Sequence, residues 1–301
     1  VTDASATARE EQAPTHVPPT QLVLLGHPVA HSLSPRFQQA ALDAAGLPVR
    51  YTARDTVPDA LTTVLAELAA ARAGGNVTIP HKEAVHGACA SRTALAERVG
   101  AVNTFAHDAD GRLIGHNTDV AGARAAMCAL LDRDEAPAHV VLLGAGGSAA
   151  SVLVALAELD AASVTIAARQ PERATRLGVR LGLAVTVLAY DSAQPSAALR
   201  AAVARARLVI NSTPIGLHGD AMPLSPDTLA PGTRVLDLVY RPEETPWVRA
   251  CRVHGCLAED GLRMLVEQGA AAFAWWFGVA PDREVMWRAL GRERTGAEPV
   301  T

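Results

Sequence analysis

The sequence predicts an α/β protein of two domains, the second built on a doubly wound parallel sheet. Three observations predict it. The chain has 301 residues, and single hydrophobic cores stop growing at about 250 to 300 residues. From residue 139 onward, short apolar runs alternate with helical stretches, the pattern of a parallel sheet covered on both faces. A glycine-rich turn, Gly144-Ala145-Gly146-Gly147, joins one such run to a helix. The polar stretch Arg133-Asp134-Glu135-Ala136-Pro137 marks the boundary between the halves, reached through a predicted linking helix over 120–131.

The first half reads as follows. Residues 21–26 form an apolar strand. Ser34-Pro35 starts a helix, because proline suits its first position, and Gly46 stops it. A second strand covers 49–54. Residues 58–72 form a helix with Leu61, Leu65 and Leu68 on one face, closed by Gly74-Gly75. A third strand covers 76–80, a further helix 84–99, and a hairpin joins 102–107 to 112–115 around Asp108-Ala109-Asp110-Gly111. In the second half, strands at 140–143, 163–168, 184–190, 208–212 and 234–239 are separated by helical or loop stretches, the first of them a helix over 148–159. From Gly261 the chain is helical again, with Met264, Leu265, Gln268 and Phe273 in one segment.

Composition narrows the functional classes. Residues are 49% apolar and 19% charged, as in an ordinary soluble protein. A net charge of -4 without a basic stripe argues against nucleic acid as a partner. The four cysteines (Cys89, Cys128, Cys251, Cys256) form no CxxC pair, and no histidine cluster completes a metal site. They read as reduced, non-catalytic thiols. The first twenty residues contain Glu10, Glu11, Pro14, Pro18 and Pro19 and lack an apolar core, so residues 1–20 read as a disordered tail rather than a signal peptide. Apolar stretches are broken well before membrane-spanning length. The expectation is a soluble cytoplasmic protein with no membrane, nucleic-acid or metal partner.

One residue stands apart. Of 27 basic side chains, 26 are arginine and one, Lys82, is lysine. Arginine keeps its proton at any accessible pH, whereas an ammonium shifts its pKa and exchanges a proton. A single retained lysine is therefore a candidate for proton transfer, or for a compact charge that a planar guanidinium cannot replace.

The turn at 144–147 has the setting of a dinucleotide site: glycines let backbone amides approach a pyrophosphate at the positive end of a helix. The following strand selects the nucleotide. A cofactor without the 2′-phosphate usually meets an acid about 20 residues on. Here that strand carries no acid and ends on Arg169, with Arg173 four residues later. Two guanidiniums suit a phosphate, so NADP is expected in preference to NAD.

Taken together, several motifs are similar to those of the shikimate dehydrogenase family, over about residues 22–290. They are Gly26-His27-Pro28 through His31-Ser32-Leu33-Ser34-Pro35, Asn76 to Lys82, Ala101-Val102-Asn103-Thr104, Gly115-His116-Asn117-Thr118-Asp119 and Gly144 to Gly147. Asn211-Ser212-Thr213-Pro214-Ile215-Gly216, Asp237-Leu238-Val239-Tyr240 and Met264-Leu265-Val266-Glu267-Gln268 complete the set. The resemblance implies a substrate-binding domain over 21–122, completed by C-terminal helices over 262–301, and a Rossmann-type domain over 123–261. The active site would lie between them. The implied reaction is reversible hydride transfer between NADPH and 3-dehydroshikimate, giving shikimate, a step of aromatic amino acid biosynthesis. Quinate or aminoshikimate is the alternative substrate, and a nucleotide-sensing regulator without catalysis is the alternative class. Both monomers and homodimers are compatible with the family.

By the same resemblance, Lys82 and Asp119 are the catalytic pair, with Lys82 either passing the proton or stabilising charge on the reduced oxygen. His31 and His81 are alternative acid–base groups. Ser32 and Ser34 match the family's carboxylate-binding pair; Ser34 could equally cap its helix. Asn103 and Gln268 match hydroxyl-binding groups, against turn formation and an exposed helix position as alternatives. Thr78 and Tyr240 match further substrate contacts. Gly144, Ala145, Gly146, Gly147, Ser148, Arg169, Arg173, Thr213 and Gly261 match cofactor positions. The chain departs from the family pattern in three places. Gln38-Gln39 replaces His-Asn, a change expected to affect packing only. Ala168-Arg169-Gln170 replaces Asn-Arg-Thr, which leaves room for a weaker preference for NADP. Residues 217–220 form a variable loop.

Overall fold

In a computed structural model, which describes residues 16–131 and 136–291, the chain forms two six-stranded sheets. The first sheet takes β1 (Gln21–Gly26), β2 (Arg50–Asp55), β3 (Gly74–Val77), β4 (Ser91–Arg92), β5 (Thr104–His107) and β6 (Leu113–His116) in the order β2-β1-β3-β5-β6-β4. Strands β1, β2 and β3 are parallel, while β5 runs antiparallel to both β3 and β6, so the sheet is mixed. Helices α1 (Ser34–Ala44), α2 (Leu61–Ala70), α3 (Lys82–Ala88) and α4 (Ala94–Val99) connect these strands, and α5 (Asp119–Leu130) leads out of them.

The second sheet is all parallel. It contains β7 (Val140–Leu143), β8 (Val164–Ala168), β9 (Val185–Ala189), β10 (Leu208–Asn211), β11 (Arg234–Asp237) and β12 (Leu257–Glu259) in the order β12-β11-β10-β7-β8-β9. Helices α6 (Gly147–Glu158), α7 (Pro171–Leu181), α8 (Ala197–Ala204) and α9 (Pro246–Val253) join them. The strand order reverses between β7 and β10. Ligands of open α/β sheets bind at such a switch point, outside the carboxyl ends of the strands. The two final helices, α10 (Leu262–Phe277) and α11 (Arg283–Ala289), return to the first sheet. There Phe273, Trp276, Met286 and Trp287 share a core with Phe37, Leu42 and Tyr51. Two polar ties fix the return: Trp276 Nε1 donates to the Phe105 carbonyl at 3.0 Å, and Gln38 Nε2 to the Gly269 carbonyl at 2.9 Å.

Register decides which loops meet. Leu25 pairs with Val77, so the chain leaves β1 and β3 side by side. Thr78 N donates to the Leu25 carbonyl and His27 N to the Ile79 carbonyl. The segments carrying Ser32 and Lys82 therefore emerge at one end of the sheet. Gly122 brings the next contributor close. A Cβ there would stand 2.6 Å from the Met264 carbonyl oxygen and 2.8 Å from Gln268 Cβ, so only glycine lets α5 approach α10 so closely.

Three features differ from the sequence reading, besides β3, which covers Gly74–Val77 in place of 76–80 and takes in the two glycines read as closing a helix. The single helix expected over 84–99 is two helices separated by β4. Cys89 is extended (φ -67°, ψ 134°), and Arg92 draws the chain back by donating to the His86 and Cys89 carbonyls at 2.9 and 2.8 Å. Thr93 then opens α4 with its hydroxyl accepting from Ala96 N. β4 and β12, of two and three residues, carry too short a pattern to be read. Third, residues 16–20, grouped with the tail by composition, are tied to the first sheet: Val17 N donates to the His107 carbonyl at 3.0 Å, and His16 stacks on Trp275. The remainder of the expected tail (1–15), the boundary residues Arg133, Asp134 and Glu135, and residues 292–301 lie outside the described residues.

Candidate active site

Lys82 is the first residue of α3, placed at the carboxyl end of the first sheet by the β3 register. Its Nζ donates to Asp119 Oδ2 at 2.5 Å, with the two side chains only 14% and 7% exposed. The pair is shielded, not a solvated surface contact. Asp119 opens α5, where the helix N-terminus favours a carboxylate. Asp119 is not the cap of a helix starting at 120: it is the first residue of α5, Thr118 holds the cap position, and both carboxylate oxygens are bonded elsewhere.

Asn103 and Gln268 close around the pair. Asn103 Nδ2 donates to Asp119 Oδ1 at 2.8 Å and lies 3.2 Å from Gln268 Oε1. Asn103 Oδ1 accepts from the Thr118 amide at 2.7 Å, and Gln268 Nε2 donates to the Leu265 carbonyl at 2.8 Å. Both side chains are buried, which removes turn formation and an exposed helix position as their explanations. The network extends further than the motifs suggested. Asn76 Nδ2 donates to the Asn103 carbonyl and to Thr104 Oγ1, and Tyr51 OH donates to Asn76 Oδ1 at 2.8 Å. Asn76 and Thr118 lie inside motifs quoted above and were findable there. Tyr51 had no signal beyond being one of three tyrosines.

On the neighbouring loop, Ser32 Oγ accepts from the Ser34 amide at 3.3 Å, and the Ser32 hydroxyl acts on the Tyr240 phenol. Burial pushes the Tyr240 phenol up, against a smaller downward pull from the Ser32 hydroxyl, so it stays a neutral donor. Ser34 sits inside α1, whose cap position is Leu33 without a side-chain cap bond; helix capping does not explain it. Thr78 is half-buried at the end of β3. The two alternative acid–base groups fit poorly. His31 is exposed, and the buried His81 ring holds the Thr56 carbonyl at 2.6 Å through Nε2.

The nucleotide end is built by the second sheet. Gly144 leaves β7 at φ +103°, and a Cβ there would stand 2.7 Å from Ser212 Oγ. Helix α6 starts after Gly146 with no side-chain cap, and a Cβ on Gly146 or Gly147 would meet nothing within 4 Å. The helix start is therefore uncapped by any side chain and uncrowded at its glycines, as close approach of a pyrophosphate requires. Ala145 packs against the core beneath. Arg169 is exposed directly after β8, and Arg173 lies in the first turn of α7, where its Nη2 is 3.6 Å from Glu83 Oε1 of the first domain. These residues suit a dinucleotide with a 2′-phosphate.

At the next strands a buried polar core arranges the loops. Asn211 Oδ1 accepts from the Thr213 amide and hydroxyl at 3.0 and 2.6 Å, while its Nδ2 donates to Asp237 Oδ1 at 2.8 Å. Asp237 also accepts from Thr245 Oγ1 and Val239 N. Burial pushes its carboxyl up to about 6, against the pull of these donors. Gly261 N donates to the Val239 carbonyl, and Gly261 leads into α10. Neither Asn211 nor Asp237 was singled out for a role, although both lie in quoted motifs. Burial raises the Cys89 and Cys251 thiols to about 12, so neither is a thiolate at neutral pH. Among the described residues no group of acids, histidines and cysteines could hold a metal ion, and no helix is long and apolar enough to cross a membrane.

Three family descriptions match the chain: the shikimate dehydrogenase substrate binding domain over 24–105, the shikimate 5′-dehydrogenase C-terminal domain over 261–290, and a saccharopine dehydrogenase NADP binding domain over 140–253. The shikimate dehydrogenase (NADP(+)) of Moorella thermoacetica is 42% identical, covering 92% of this chain and 94% of its own. That of Symbiobacterium thermophilum is 43% identical over 88% and 91%. Among solved structures, the shikimate 5-dehydrogenase of Thermus thermophilus in complex with NADP(H) and shikimate superposes with a TM-score of 0.79 at 37% identity, covering 90% of this chain and 98% of that one. The chain belongs to the shikimate dehydrogenase family.

Proposed function

We infer that the chain is an NADP-dependent oxidoreductase that interconverts 3-dehydroshikimate and shikimate, as its relatives' names indicate. The observation that carries the reading is the shielded Lys82–Asp119 pair, enclosed by Asn103 and Gln268. NADP(H), when bound, supplies and takes the hydride. The chain's own residues manage the charge and the proton. As the ketone is reduced its oxygen gains negative charge, and the Lys82 ammonium stands ready to neutralise it or donate to it. Asp119 fixes that ammonium through Oδ2, and its Oδ1, which accepts from Asn103, has a second lone pair for a neighbouring substrate hydroxyl. Asn103 and Gln268, each a donor and an acceptor, suit hydroxyls. Ser32, Ser34 and Tyr240 offer hydroxyl donors to the substrate carboxylate, and Thr78 is a further substrate contact. Gly144, Ala145, Gly146, Gly147 and Ser148 would hold the pyrophosphate and Arg169 and Arg173 the 2′-phosphate, with Thr213 and Gly261 as further cofactor positions.

We assign 21–122 with 262–301 to the substrate-binding domain and 123–261 to the Rossmann domain, the boundary falling inside α5. The enzyme is placed in the cytoplasm, as a monomer or homodimer, without nucleic-acid or membrane partners. Reduction of NADP+ with shikimate, quinate and aminoshikimate in parallel tests the reading. Shikimate should give the highest kcat/KM. Preference for quinate or aminoshikimate would reassign the substrate, and no turnover with any of them would leave only a nucleotide-binding role.

A further inference from the structure

Helix α7 touches the first domain at both of its ends. In its last turn Arg180 Nη1 donates to the Val99 carbonyl at 2.5 Å, where α4 ends. In its first turn Arg173 Nη2 lies 3.6 Å from Glu83 Oε1, with the side chains 50% and 68% exposed. Glu83 directly follows Lys82 in the first turn of α3. The same guanidinium is one of the two assigned above to the 2′-phosphate. On that assignment it is shared between a carboxylate of the first domain and the cofactor's phosphate, and turning its fork squarely onto the phosphate draws Nη2 away from Glu83.

We propose that Glu83 is a specificity-determining residue for the cofactor: it competes with the 2′-phosphate of NADP(H) for Arg173, and so narrows the enzyme's preference for NADP over NAD. This rests on the reading that Arg173 binds that phosphate. NAD+ has no 2′-phosphate and does not compete, so Glu83 weighs against one cofactor only. Ala168, directly before Arg169, has no side-chain donor to offer the phosphate, which makes the hold on Arg173 count for more. Exposed ion pairs shift an equilibrium by up to about fivefold, which sets the size of the effect. Arg180 keeps α7 against the first domain whichever partner Arg173 takes, so the exchange requires only a side-chain swing.

Two other roles for Glu83 are distinguishable. As an acid in the first turn of α3 it could merely stabilise that helix, or it could repel the phosphate through space without Arg173. Titration calorimetry of NADP+ and of NAD+ at low ionic strength separates them, using the wild type, Glu83→Gln, Arg173→Ala and the double variant. Glu83→Gln should tighten NADP+ about two- to fivefold and leave NAD+ unchanged, and in the Arg173→Ala background it should do nothing. If Arg173→Ala weakens NADP+ but Glu83→Gln leaves it unchanged, the competition does not exist, while the phosphate reading stands. If Arg173→Ala leaves NADP+ affinity unchanged, the phosphate reading fails and takes the competition with it. A Glu83→Gln effect that persists without Arg173 shows direct repulsion, and equal shifts for both cofactors show a structural role; either overturns the proposal.

Discussion

Lys82 is informative because a chain that uses arginine at 26 of 27 basic positions kept one ammonium. The structure gives it a reason a guanidinium could not meet: a shielded position 2.5 Å from one carboxylate oxygen, where a compact, rotatable donor fits and a rigid planar fork does not. Lys82→Ala should lower kcat by about two to three orders of magnitude with NADP+ affinity unchanged, and Lys82→Arg should not restore it. Near-wild-type turnover in either variant would remove Lys82 from the chemistry. The single lysine also permits a labelling test. An amine-acylating reagent has one ε-amine to find, and mass spectrometry should show it protected by shikimate. Acylation that proceeds equally with and without shikimate would place the substrate elsewhere. At this scale the sequence was most legible where chemistry restricts the residue type. Asn103, Asp119 and Gln268 are more than fifteen residues apart in the chain, yet each lies in a short motif whose side chains have few substitutes. The Glu83–Arg173 contact was not legible, because two exposed charges ninety residues apart leave no pattern.

Elements with strong local signals were read correctly, and those decided by tertiary contacts were not. The strand–turn–helix at 140–158 announces itself through glycine and an apolar run. The break at 89–93 does not, because the intervening residues carry no proline or glycine and depend on Arg92 reaching back to two carbonyls. Thr93 holds the break from the other side. Its Oγ1 accepts from the Ala96 amide at 3.3 Å and lies 2.8 Å from His116 Nδ1. Thr93→Ala removes a helix cap, worth about 1 kcal/mol, and leaves a mostly buried imidazole nitrogen without its partner, which costs about 1 to 3 kcal/mol more. Chemical denaturation should show a loss of about 2 kcal/mol or more, while kcat at saturating substrate changes little. A loss below about 0.5 kcal/mol would mean that Arg92 alone keeps α3 and α4 apart.

Across the whole molecule, three distant stretches meet in one aromatic stack. His16 lies 4.0 Å from Trp275 and His116 5.3 Å from it, centroid to centroid. This stack ties the start of the described chain and β6 to α10, the helix that also carries Gln268. The returning helix could be inferred only from resemblance, since no periodicity says which strand a C-terminal helix will cover, whereas the antiparallel hairpin of the first sheet was legible in the turn at 108–111. The stack gives the assembly a definite acid response. Burial lowers the imidazole of His116 to about 4, with the neighbouring His16 adding to the effect, and burial also lowers His16 and His107. A group whose folded pKa is depressed binds protons more readily when unfolded, so its contribution to stability is complete above the unfolded value near 6.5 and is lost as pH falls towards about 4. A fall of that size corresponds to about 3 kcal/mol for His116. Urea denaturation at a series of pH values from 7 down to 4.5 should therefore show stability declining with acid, and His116→Gln should flatten the decline because glutamine has no proton to gain. The variant starts lower at pH 7, having lost the ring stack, so the slope and not the absolute stability is the readout. An unchanged slope would mean that carboxylates, not this imidazole, set the acid limit, and the stack would then be packing without a pH role.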